Sequence, residues 1–227
     1  MNTPSNEQEP QVAKPLATAP VEQIEVPEVL DFLRENGVAI VIGVVVAVAA
    51  FVGFTVWQNT KEAGIETASS LLANAQSAPQ FQEIINNYGD TPAAPMAYLS
   101  LAGAYFDQGQ YEMARQTFVE FQGKFADHDM APTAELGIAQ SLESLGNQAE
   151  ALTAYDAFIA KHADHYMVPT AVFGKARVLE AMSRFADARA VYEDFIASYP
   201  ESRWVSRAEA GIEFVKKQER LATSGQR

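Results

Sequence analysis

The sequence predicts an all-α protein: one transmembrane helix near the N-terminus, followed by a solenoid of helical hairpins. Three observations predict it. Gly37–Trp57 runs 21 residues without a charge, and as a helix it would span about 31 Å, the thickness of a bilayer's hydrocarbon core. Beyond it the chain repeats with a period of 37 residues, as in the series Pro95, Pro132 and Pro169. Repeats of this length build stacked arrays. Within each repeat apolar residues recur at three- and four-residue intervals, the helical spacing.

The 227 residues accommodate a tail, one span and one domain of about 170 residues. Net charge is −13, and acidic residues predominate on both sides of the apolar run. No basic patch is present to neutralise a phosphate backbone, which argues against a nucleic-acid partner. Anionic headgroups would repel the N-terminal tail. The chain has no cysteine, which removes disulfides, thiol catalysis and thiolate metal sites without naming a compartment.

Residues 1–27 carry Pro4, Pro10, Pro15, Pro20 and Pro27 among Glu, Gln, Ala and Thr, with no aromatic residue. Such a segment buries too little apolar surface to offset its ordering entropy, and is expected to be a disordered spacer. Residues 28–36 place Val29, Leu30 and Leu33 on one helical face and Glu28, Asp31 and Glu35 on the other, the pattern of a short interfacial helix. Residues 37–57 form the span. Their eight Val, two Ile and two Phe give a gross insertion term of about −4 to −7 kcal/mol. A cleaved signal peptide is the rival reading, because Ala47-Val48-Ala49 has the small-x-small form. However, the preceding region is long and acidic, with Lys14 and Arg34 its only cations, whereas signal peptides begin short and basic. Ala39, Gly43 and Ala47 recur every four residues, a spacing that lets a second helix approach closely. Trp57 stands where an interfacial aromatic belongs. Arg34 before the run and Lys61 after it leave the positive-inside rule tied on orientation.

Residues 58–94 read as a leading partial repeat. A helix over 61–76 precedes Phe81, Ile84 and Tyr88, which stand 37 residues before Phe118, Phe121 and Phe125. Residues 95–220 hold the repeats and a capping helix. In the first complete unit the helices fall at about 96–108 and 111–125, broken by Gly109; Gly146 and Ser183 hold the same place later. Two alanine series, Ala102/Ala139/Ala176 and Ala114/Ala151/Ala188, mark close helix crossings where only a small side chain fits. The aromatic series Phe118/Tyr155/Tyr192 and Phe121/Phe158/Phe195 fill the wider gap to the next unit. Trp204, Ala208 and Gly211 continue into a final helix ending near Glu219. Lys216, Lys217 and Arg220 would suit the negative end of its dipole. Residues 221–227 are expected to be a disordered tail.

Leu101, Ala102, Ala104 and Tyr105, then Gly109, Tyr111, Ala114 and Phe118, resemble a tetratricopeptide repeat. Ile138, Ala139, Leu142, Gly146, Ala151 and Tyr155 keep the pattern in the second unit; Ala176, Leu179, Phe185, Ala188, Tyr192 and Pro200 keep it in the third. The longer period is similar to repeats of bacterial envelope proteins. The whole layout, with LDFLRENG before one span and repeats behind it, resembles the YfgM family of single-span inner-membrane proteins, ancillary subunits of the SecYEG translocon. That resemblance implies a cytoplasmic N-terminus, periplasmic repeats, and work beside the chaperone PpiD on newly translocated proteins. A scaffold for envelope assembly or division is the alternative.

Catalytic motifs are absent from the sequence: it has no Walker loop, GxGxxG, HExxH or GxSxG. Asp127, His128 and Asp129 with His162, Asp164 and His165 could bind zinc, but Asp164 and His165 are Asp127 and His128 one repeat later. Turn capping and packing account for them. No cofactor, metal or small-molecule substrate is therefore expected. The resemblance implies instead a protein-binding groove lined by the first helix of each unit. Its residues would be Leu99 and Phe106; Leu136, Gln140 and Glu143; Phe173, Arg177 and Glu180; then Arg207 and Phe214. The Lys/Asn pattern that clamps a C-terminal carboxylate in chaperone-binding repeats is missing, since Leu99, Leu136 and Phe173 occupy its basic positions.

Overall fold

The computed structural model describes residues 26–224. The expectations for residues 1–25 and 225–227 lie outside them. The described residues form helices joined by short turns, with no strand among them. The chain divides into two compact units after Gln58.

Helix α1, Val26–Asn74, crosses that division. It carries the interfacial segment, the apolar run and the leading helix in one continuous helix. Pro27 falls in its first turn, where a missing N–H costs nothing, and no proline follows until Pro79. Over Gly37–Trp57 the helix is apolar all round. An 18-residue window reaches a mean hydropathy of 2.8 with none of it buried. Val38, Val45 and Phe51 are more than half exposed. Thr55 satisfies its own hydroxyl by donating to the Val52 carbonyl at 2.9 Å. By length and composition this helix can cross a membrane.

The second unit contains the end of α1 and eight further helices among the described residues: α2 (Ala78–Tyr88), α3 (Ala94–Asp107), α4 (Tyr111–Lys124), α5 (Ala131–Ser144), α6 (Gln148–Lys161), α7 (Val168–Ala181), α8 (Phe185–Ser198) and α9 (Val205–Ser224). From α2 onward consecutive helices pack as antiparallel hairpins, and α3 touches α5 as α5 touches α7. The first helix of each hairpin starts with a proline in its first turn, at Pro95, Pro132 and Pro169. At the hairpin turns the backbone enters the left-handed region: φ is 73° at Gly109, 78° at Gly146 and 59° at Ser183. Glycine adopts this conformation without penalty; the serine bears some strain.

The core forms two adjoining clusters, one centred on α2–α5 and the other on α5–α9. Both predicted alanine series are fully buried, and a third, Ala97/Ala134/Ala171/Ala208, is buried with them. Ile84, Phe121, Phe158 and Phe195 lie beneath at the same repeat position.

A further series locks unit to unit. A Cβ placed on Gly137, Gly174 or Gly211 would come within 2.5, 2.3 or 2.6 Å of the rings of Phe118, Tyr155 and Tyr192 respectively. Each ring rests on the bare backbone of the next unit's first helix. The final helix differs from expectation. It runs to Ser224, so residues 221–224 are helical and no basic residue stands in its last turn; Lys216, Lys217 and Arg220 precede that turn.

Candidate protein-binding face

The predicted groove residues fall into two groups. Leu136 and Phe173 are 5% and 4% exposed and belong to the core, a correction for Leu136 as a surface contact. Its position in the repeat equals that of Phe173, and both sit where the first helix faces its neighbours. Leu99 and Phe106 are half-buried; Leu99 packs against the α2–α5 cluster, and Phe106 stacks edge-on against Tyr111 at 5.1 Å. Gln140 is half-buried on α5.

The other group converges. Phe173, Arg177 and Glu180 from α7, Tyr192 from α8, and Arg207 and Phe214 from α9 line one open cavity of about 240 Å³. Phe173 is its floor, and Phe214, about half exposed, is its rim. Arg207 lays its guanidinium over Phe173 at 5.0 Å and over Trp204 at 5.4 Å, a cation–π contact with two adjacent rings. A larger cavity of about 930 Å³ lies between Thr60–Ile65 and the α2–α3 turn, and none of the groove residues enters it.

Polar bonds link this face to the preceding junction. Glu143 accepts from Arg177 Nε at 2.7 Å and Nη2 at 2.9 Å, and from the Tyr155 hydroxyl. Glu180 accepts from the Tyr192 hydroxyl at 3.0 Å. Burial first, then the facing carboxylate, pushes both phenols well above the ordinary tyrosine range, so both remain donors. The guanidinium of Arg177 is held in its charged form by its hydrogen bonds to Glu143.

Sequence reasoning placed these tyrosines in a packing series and missed their hydroxyls. The signal was nevertheless present. Phe118 pairs by position with Phe106, whereas Tyr155 and Tyr192 pair with Glu143 and Glu180. Ring hydroxyl and carboxylate therefore appear together along the repeats.

The histidine turns are built as capping and packing. His128 Nδ1 accepts from the Met130 N–H at 3.1 Å, and His165 Nδ1 from Met167 at 3.3 Å. Ser202 does the same one repeat later, for Trp204 at 3.3 Å. His162 stacks on Phe158 at 4.9 Å, as Phe125 stacks on Phe121 and Tyr199 on Phe195, both at 5.3 Å. Its Nε2 lies 2.8 Å from Glu135, which also pairs with Lys161. Among the described residues no group of three or more His, Cys, Asp or Glu is arranged to hold a metal ion.

Comparison with known proteins agrees with this architecture. A family profile described as a tetratricopeptide repeat-like domain matches residues 31–210. No curated protein sequence matches the chain. Among solved structures, the nearly identical TPR-like repeats of a candidate kinesin light chain from Podosopora anserina superpose with a TM-score of 0.54 at 17% identity, over 73% of this chain and 89% of that one. A tetratricopeptide repeat protein of Parabacteroides merdae gives 0.52 at 14% identity, over 70% of this chain and 61% of that one. At these identities the likeness is one of fold.

Proposed function

The chain belongs to the tetratricopeptide repeat-like domain family, and from that premise we propose a membrane-anchored scaffold that binds other polypeptides and performs no catalysis. One observation carries the reading: Phe173, Arg177, Arg207 and Phe214, from two helices brought together only by the solenoid, line a single cavity of mixed aromatic and charged walls. That chemistry suits a polypeptide segment. The exposed apolar length of α1 supplies the anchor.

The more specific proposal rests on the resemblance of the layout. It places the chain in a bacterial inner membrane, N-terminus in the cytoplasm and repeats in the periplasm, as an ancillary subunit of a SecYEG-like translocon beside a PpiD-like chaperone. Ala39, Gly43 and Ala47 are proposed as the packing stripe toward another membrane helix.

Site-specific photo-crosslinking in native membranes tests both levels. Phe214 is the probe position on the cavity, because Phe173 is buried; Gly43 is the probe in α1. Adducts to translocon or chaperone subunits support the specific proposal. Adducts confined to division or outer-membrane assembly proteins replace it with an envelope scaffold. A Phe214 probe that captures no polypeptide in membranes refutes the scaffold itself.

A further inference from the structure

Three positions describe each junction between units, and the repeat lets one junction serve as a template for the next. At the junction of α5, α6 and α7 they are Glu143, Tyr155 and Arg177. One repeat later, where α7, α8 and α9 meet, they are Glu180, Tyr192 and Phe214. In the first of these, the carboxylate takes the tyrosine hydroxyl and both arms of the arginine fork. In the second, the carboxylate takes the tyrosine hydroxyl alone, because phenylalanine stands where the arginine stood. The cavity of about 240 Å³ opens at this place, with Glu180, Tyr192 and Phe214 in its wall.

We propose that this cavity binds an arginine side chain of a partner polypeptide, whose guanidinium would meet Glu180 as Arg177 meets Glu143. The inference rests on the scaffold reading and specifies what the scaffold recognises. A planar guanidinium matches a carboxylate through two parallel N–H bonds, and the Phe214 ring, about half exposed in the cavity wall, offers it a face to stack on. Two cations also line the cavity. Arg177 is neutralised by Glu143. Arg207 is spread over Phe173 and Trp204 and lies seven residues before Phe214 on α9, about two helical turns away. The chain's net charge of −13 favours approach of a basic partner at long range.

The test uses the full chain in detergent micelles and three capped pentapeptides, Gly-Gly-X-Gly-Gly with X as Arg, Lys or Glu, titrated by calorimetry. The Arg peptide should bind most tightly and the Glu peptide least. Glu180→Gln should weaken the Arg peptide about tenfold. Phe214→Arg should supply the fork from within: it should abolish peptide binding and raise the melting temperature, a readout that also shows the variant is folded. Equal binding of the Arg and Glu peptides, or Glu180→Gln with unchanged affinity, would overturn the inference. So would Phe214→Arg that melts no higher than the parent. If the peptides fail while a Phe214 photo-probe still captures polypeptide, the scaffold stands and the arginine site falls; if both fail, the scaffold reading falls too.

Discussion

Glu135 shows how much one side chain contributes between hairpins. It lies on α5 and accepts from Lys161 and His162, at the end of α6 and just past it. Burial would push its carboxyl up, but the bonds from Lys161 and His162 outweigh burial and hold it below its ordinary value of 4.5. A depressed carboxylate stabilises the fold above its unfolded pKa, and that contribution disappears as pH falls through the folded value. Glu135→Gln should therefore melt below the parent at pH 7, with the gap closing as pH drops below about 4. Melting curves across pH 2–7 check this; a gap of constant size would assign the bond to packing rather than charge.

At the scale of the helix, glycine carries opposite meanings that space alone separates. Gly174 in α7 lies under Tyr155, with 2.3 Å between a built Cβ and the ring. Gly174→Ala should destabilise by about 1–3 kcal/mol through overpacking. Gly123 in α4 has nothing within 4 Å, so Gly123→Ala should stabilise by up to about 1 kcal/mol from propensity. Urea denaturation of the two variants should move in opposite directions. The period, the hairpins and the buried alanines were legible because each repeat restates the same constraint. The interlocking glycines were not, since a lone helical glycine reads first as a weakness or a break. Periodicity also equates positions without orienting them: Leu136 and Phe173 were correctly matched to one another, yet only packing shows that both turn into the core. Where no repeat constrained the chain, at the end of α9, the helix runs past the expected boundary, because continuous helix needs only the absence of a breaker.

For the whole molecule, the proposed anchoring turns on how strongly α1 would hold the repeat unit at a membrane. Its apolar run supplies about −4 to −7 kcal/mol of gross insertion free energy, and one arginine at the helix centre costs about 2.5–3.5 kcal/mol. The arithmetic separates one substitution from two. Val45→Arg alone should leave the chain in the membrane fraction after alkaline carbonate extraction, because the remaining term is still favourable. Val45→Arg combined with Val48→Arg should bring the sum near zero and release the chain. The same fractions, examined by intact mass, distinguish the anchor from its rival: a permanent span leaves residues 1–57 attached, while signal cleavage after Ala49 removes them in part. Release by the single arginine would mean that the helix is held far more weakly than its composition implies. The repeat unit would then reach its partners from solution, and the α7–α9 face would have to supply all of the affinity that anchoring otherwise provides through high local concentration.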